Sequence, residues 1–229
     1  MQTTVSIAPF LLKETLSKNI KLLVLDGGTC SGKTTITNEL LRLLKKKNIP
    51  YTFLSVDMFL MPREERDYGN NLYKNTSLIR WYYFDKFTNL VDKLLSSSSL
   101  EKEVSIYNRD TGNVDLVYNI SHKNGLIILE GLYVLHALVQ SQLFPTIDNK
   151  LLFFFETSPT KMEERMKNRN VYIKDGVFDL LCKNVYIPSH VDYINWLNNE
   201  EIVFDRIFFT DNFDDIKIRE SSALKGYKD

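Results

Sequence analysis

Only two cysteines, Cys30 and Cys182, occur among the 229 residues. No disulfide framework can be drawn from them, and their scarcity suits a reducing compartment such as the cytosol. Charge of one sign is not in excess either, since 29 basic residues face 29 acidic ones. Nucleic-acid binders usually carry a basic surplus or stripe, so neutrality speaks against that partner class. No stretch approaches the ~18–20 consecutive apolar residues of a membrane span. The first residues also lack the basic-then-apolar order of a secretory leader. The expectation is a cytoplasmic protein with neither a membrane nor a nucleic-acid partner. No repeat and no second domain is evident, and the length suits one α/β domain over residues 1–229.

What is present centres on Gly27-Gly28-Thr29-Cys30-Ser31-Gly32-Lys33-Thr34-Thr35. It fits G-x-x-x-x-G-K-[ST], the phosphate-cradling P-loop (Walker A), and its flanks fit as well. Before it runs the short apolar stretch 21–26, of buried-strand type; after it, residues 36–47 carry apolar side chains at helical spacing. The glycines let backbone N–H groups approach phosphate oxygens. The following helix N-terminus adds orphan donors and partial positive charge. Lys33 would reach the β/γ-phosphates and the Thr34 hydroxyl would ligate Mg²⁺. The stretch therefore predicts a nucleoside-triphosphate site over residues 27–35. Cys30 sits at the helix start, where a thiol pKa can fall; redox sensing is one reading, a small tolerated side chain the simpler one.

Further strands are expected at 51–56, 126–131, 151–155 and 202–209, and helices near Pro9, at 81–95, at 132–143 and after Ser158-Pro159. Residues 104–107 and 114–118 suit a β-hairpin with its turn near Gly112. Apolar strands alternating with helices predict a three-layer α/β sandwich, a parallel five-stranded sheet with helices on both faces. The insertions at about 58–80 and 104–118 are the expected seat of a second substrate, because long loops in compact domains tend to be functional.

Several P-loop classes are open to such a chain. A GTPase would carry a guanine-reading N-K-x-D element, and none is found. A motor would show a carboxylate-rich strand end with a following base; here single carboxylates, Asp57 and Glu130, close two strands. In parallel sheets such positions face the ligand crevice, which suits small-molecule phosphoryl transfer. Asp57 could take the proton of an acceptor hydroxyl or hold Mg²⁺ through water, and Glu130 the other task; a plain helix-capping role is the alternative for both. Arg165 and Arg169 lie four apart and share a helix face. They could clamp charge on the transferring phosphoryl or simply belong to a solvated helix.

Together these residues make the chain resemble the uridine kinase and phosphoribulokinase family of P-loop kinases. The likeness spans about residues 20 to 210. Its parts are the P-loop, Ser55-Val56-Asp57-Met58-Phe59, Ile128-Leu129-Glu130-Gly131-Leu132 and Arg165-Met166-Lys167-Asn168-Arg169-Asn170. The resemblance implies ATP as donor, Mg²⁺ as cofactor and a small hydroxyl-bearing acceptor, a nucleoside such as uridine first. Pantothenate, nicotinamide riboside or another sugar-like alcohol are the alternatives within the class. A nucleotide-binding regulatory protein without acceptor chemistry is the alternative outside it. By this likeness Asp57 is the general base, Lys33, Arg165 and Arg169 stabilise phosphate charge, and Thr34 and Glu130 serve Mg²⁺ and substrate. Residues about 160–188 would form the lid, and a homo-oligomer is left open.

The chain also departs from that family. The family's ribose-gripping Asp has no counterpart directly after Trp81, which leaves Asp85 as its candidate replacement. Tyr107-Asn108-Arg109-Asp110-Thr111-Gly112 resembles instead the Y-D-x-x-T-G of a bacterial uridine kinase-like branch. Tyr107 and Arg109 are accordingly the acceptor-pocket candidates, with a structural hairpin as the equal alternative.

Overall fold

In the computed structural model, residues 7–66, 77–169 and 175–224 are described. Helix α1 (Ile7–Ser17) leads into β1 (Leu22–Gly27), whose six residues are all buried. The P-loop follows, and then α2 (Lys33–Lys46), with Lys45 and Lys46 in its last turn, where cations complement the helix dipole. The chain returns through β2 (Tyr51–Ser55), a 3₁₀ turn (Val56–Phe59) and α3 (Phe84–Ser96). Strands β3 (Ser99–Ile106) and β4 (Leu116–Lys123) pair antiparallel as a separate hairpin. Then come β5 (Leu126–Gly131), the short α4 (Val134–Leu138), β6 (Lys150–Glu156) and α5 (Pro159–Arg169). Helix α6 (Asp175–Leu181), a π-turn (Cys182–Tyr186), α7 (Ile187–Asn199), β7 (Phe204–Phe209) and β8 (Lys217–Ser222) complete the described residues.

The main sheet has the order β2-β5-β1-β6-β7-β8. Its first five strands are parallel, and β8 joins antiparallel at the edge. The α/β class holds, but the sheet has six strands rather than the expected five. Successive residues of one strand serve opposite faces. Leu22 and Val24 enter the core shared with α3, α4 and α7, while Leu23 and Leu25 enter the one shared with α1 and α2. Strands buried on both faces must be apolar throughout, which is why they read as runs rather than alternations.

The hairpin and the helix after β5 differ most from expectation, while α3 begins at Phe84 rather than 81 and β7 at Phe204 rather than 202. The hairpin strands are longer than 104–107 and 114–118: they pair in register from Ser99↔Lys123 to Ile106↔Leu116, with exposed and half-buried or buried residues alternating along nearly all of both. The helix expected over 132–143 is cut to α4: Tyr133 enters it at a left-handed φ of 67°, and Ser141 caps the following turn by accepting from the backbone N–H of Phe144 at 2.9 Å. Of the expected lid, α5 and α6 are helical and residues 170–174 lie outside the described ones. Most of the excursion near 58–80, residues 67–76, is likewise outside them.

Candidate active site

Because β1, β2, β5 and β6 are parallel, their carboxyl ends open on one edge, and ligand crevices of open α/β sheets lie there. The P-loop occupies the middle of that edge. Gly28 is set by proximity: a Cβ there would come within 2.8 Å of the His190 imidazole, which projects from α7. Gly27 has φ +148°, and its Cβ would strike the Phe155 carbonyl oxygen at 2.3 Å. The loop is thus pressed against β6 and α7 at a distance only glycine allows.

The Lys33 ammonium folds back onto this loop, donating to the carbonyls of Gly27 (2.9 Å) and Gly28 (2.7 Å) and to Ser31 Oγ (3.3 Å). Burial pulls its pKa down, and the carboxylates of Glu130, Asp26 and Asp57 oppose that. The fields of three acids, at or just after the ends of three neighbouring strands, therefore act on this one cation.

Glu130 closes β5 and is held by two hydroxyls. Thr34 Oγ1 donates to its Oε1 and Ser55 Oγ to its Oε2, each at 3.1 Å. Burial raises its pKa, against the pull of Lys33 and these two bonds. Thr34 is exposed, so the hydroxyl–carboxylate pair borders the open crevice and could hold a hard cation. Among the described residues no group of three or more His, Cys, Asp or Glu side chains could cage a metal. Mg²⁺ asks for no such cage, since it binds through one or two carboxylates with water and substrate phosphates.

Asp57 follows β2 in the 3₁₀ turn. Tyr82 OH donates to its Oδ1 at 3.3 Å, and Arg109 Nη2 pairs with its Oδ2 at 2.6 Å. Arg109 reaches it because the hairpin loop is sewn to the segment after Asp57. The Tyr107 N–H donates to the Met58 carbonyl at 2.8 Å and the Arg63 N–H to the Gly112 carbonyl at 2.7 Å. Tyr107 itself is buried under Arg66, whose guanidinium lies 4.4 Å from its ring centroid and 5.7 Å from that of Trp81. Arg66 Nε donates to the Met61 carbonyl at 3.0 Å, while its Nη2 is buried with no hydrogen-bond partner among the described residues. Asp85 does not join this group; it is exposed in the first turn of α3, where a carboxylate complements the helix dipole.

On the other side of the loop, Arg165 Nη1 donates to the Cys30 carbonyl at 3.3 Å, and its Nη2 to the carbonyls of Thr210 and, at 3.0 Å, Asp211. Its guanidinium also lies 4.2 Å from the Phe213 ring centroid. Arg165 thereby ties α5 to the P-loop and to the loop after β7. The Arg169 side chain lies outside the described residues.

Four positions with a place at the site had not been singled out. Asp26 is fully buried at the end of β1, and all its acceptors are used. Oδ1 takes the Gly27 N–H (2.6 Å), and Oδ2 takes the Leu135 N–H (2.9 Å) and Tyr193 OH. Burial lifts its pKa to about 6 despite these donors. An acid closing an apolar strand was a visible signal, the same one that marks Asp57 and Glu130. Tyr82, His190 and Phe213 carried no such signal, for their role comes from contacts between distant segments. His190 is buried and its pKa falls to about 4, from burial first and then from Lys33, so it is neutral beneath the loop. The exposed Phe213 ring lies where a Cβ on Gly32 would meet it, 2.6 Å away.

A glycine loop between β1 and α2, a lysine in the field of three strand-end acids, and an arginine helix beside the loop are the features of a P-loop kinase. The chain belongs to the Phosphoribulokinase / Uridine kinase family, whose model matches residues 22–152, more than half of its length. No curated protein matches the chain in sequence. Among solved structures it is similar to a possible uridine kinase from Bacillus stearothermophilus at 20% identity and a TM-score of 0.54, covering 85% of this chain and 91% of that one. It is also similar to D-glycerate 3-kinase from Cryptococcus neoformans var. grubii at 14% identity and a TM-score of 0.53, covering 82% and 87%. At such identities these likenesses show the shared fold. Family membership makes the chain a nucleotide-binding phosphotransferase that acts on a small molecule.

Proposed function

We propose that the chain transfers the γ-phosphoryl group of ATP, with Mg²⁺, to a hydroxyl of a small molecule. The observation that carries this reading is the meeting of Lys33, Glu130 and Asp57 at one sheet edge, with Thr34 on Glu130 and an arginine helix beside the loop. The donor phosphates replace the loop carbonyls as partners of Lys33, and the loop N–H groups and the α2 N-terminus hold them. Bound Mg²⁺, held by Thr34 and Glu130 with the phosphates, would neutralise charge on the transferring group. Asp57 accepts the proton of the acceptor hydroxyl as its oxygen bonds to Pγ and the bond from Pγ to the β-phosphate oxygen breaks. Arg109 leaves Asp57 when the acceptor enters. Arg165 and Arg169 stabilise charge on the equatorial oxygens, as such cations do in phosphoryl transfer.

A nucleoside such as uridine is the first acceptor to expect, because the Tyr107–Gly112 stretch resembles the uridine kinase-like pattern. An acid-bearing alcohol is a second reading with its own support. Arg63 and Arg66 flank the Asp57–Arg109 pair, and neither has an ion-pair partner among the described residues. A screen of ADP release across nucleosides, pantothenate, sugars and small hydroxy acids decides between them. Absence of any acceptor-stimulated release would instead favour a regulatory nucleotide binder. Like the acceptor, the cytoplasmic location rests on sequence; no helix of the described residues is long and apolar enough to cross a membrane.

A further inference from the structure

Beside Phe59, a cavity of about 360 Å³ opens between α3 and β3. Its floor is apolar, made by Phe59, Leu90, Val104 and Val114, and its rim carries Lys86, Lys93 and Lys102. Lys86 and Lys93 lie seven apart on α3, two turns along one face. Lys102 is the unusual member. Strand β3 alternates, with Leu100, Lys102 and Val104 half-buried on its inward face and Glu101 and Glu103 exposed on the other. Lys102 thus lines the cavity from the face of β3 that its apolar neighbours share.

None of the three lysines has an ion-pair partner among the described residues; Lys86 has only the Tyr83 ring, 3.8 Å from its ammonium. An anion placed in the hollow is attracted by all three charges, none of which is neutralised by an acid among the described residues. Three ammonium donors suit a compact dianion, and the apolar floor suits a flat or aliphatic body attached to it. The floor also reaches the chemistry, because Phe59 shares the 3₁₀ turn with Asp57 and meets Phe87 edge-on at 5.5 Å.

We propose that this cavity is a second binding site, separate from the P-loop, for a phosphomonoester with an apolar body. The phosphate lies among Lys86, Lys93 and Lys102, the body covers Phe59 and Val104, and occupancy bears on the turn that carries Asp57.

Calorimetric titration with phenyl phosphate, inorganic phosphate and phenol tests the site. Phenyl phosphate, which is neither the proposed acceptor nor its product, binds with about 1:1 stoichiometry to wild type and to a Lys33→Ala protein. Its affinity falls at least about tenfold in a Lys93→Met/Lys102→Met protein whose thermal midpoint is unchanged, consistent with the loss of two charge-assisted contacts. Inorganic phosphate uses the same lysines more weakly, and phenol binds more weakly than phenyl phosphate. Binding that is unaffected by the lysine changes, that is lost with Lys33, or that is matched by phenol overturns the proposal. A rim that only keeps the hairpin edge soluble, a known use of lysine on edge strands, gives no saturable binding at millimolar ligand and overturns it as well.

Discussion

Asp26 responds to acid in the sense opposite to an ordinary ion-paired carboxylate. Its pKa stands at about 6 in the folded chain against 3.8 for an unperturbed Asp. A group whose folded pKa is raised favours folding when protonated, so its contribution is complete below about pH 4 and is lost as pH rises through about 6. The difference corresponds to about 3 kcal/mol. Asp26→Asn removes this titration while preserving shape. Whatever constant cost the amide brings by facing three donors, the stability gap between wild type and variant must change with pH. Relative to Asp26→Asn, wild type gains about 1.3 kcal/mol between pH 7 and pH 5, about 2.4 kcal/mol by pH 4, and about 3 kcal/mol only well below that. Urea unfolding of both proteins at matched pH and ionic strength reads this directly. A gap that stays flat, or that moves against wild type on acidification, refutes the reasoning. It would mean that Gly27 N–H, Leu135 N–H, Tyr193 OH and nearby Lys33 outweigh burial and hold the carboxylate ionised.

Other perturbations follow from the same geometry. Gly28→Ala pushes a methyl group against His190 and should cost about 1–3 kcal/mol of stability or displace the loop; thermal unfolding and ATP titration check it, and His190→Ser in the same chain should recover most of the loss. Arg109→Met should raise the KM of an acid-bearing acceptor by about tenfold, the loss of one charge-assisted bond, with little change in kcat; a fall in kcat alone in steady-state assays would contradict its place on the acceptor. Arg165→Ala cuts the ties to Cys30, Thr210 and Asp211, so single-turnover rates should fall by at least about a hundredfold, and an effect confined to acceptor KM would argue against a role on the donor side.

The parts of the site legible in sequence were those in which local chemistry and position coincide. The P-loop glycines, Lys33 and Thr34 stand in an order that only a phosphate loop demands. Asp57 and Glu130 each close an apolar run, so parallel topology alone brings them to the same edge. Sequence offered Arg109 equally as an acceptor-pocket or a hairpin residue, and its pairing with Asp57 comes only from docking of its loop on 58–63. Strand β8 escaped notice because Lys217-Ile218-Arg219-Glu220 is mostly polar, and as an exposed edge it needs only the partner β7, supplied by tertiary contact. Tyr193 and His190 look like any core-facing residues of α7, and only the fold sets one on Asp26 and the other under Gly28. Asp85 lies apart from the other candidates, exposed in the first turn of α3.

The central claim is that Asp57 takes the acceptor's proton while Lys33 and the loop hold the donor. Its most direct test is single-turnover phosphoryl transfer to the best acceptor by Asp57→Asn, with ATP affinity measured on the same protein. General-base catalysis of this kind contributes about 10²–10⁴-fold, so the account predicts a fall of that size with ATP affinity within about threefold of wild type. A transfer rate near that of wild type, or a loss explained wholly by weaker ATP binding, would contradict it.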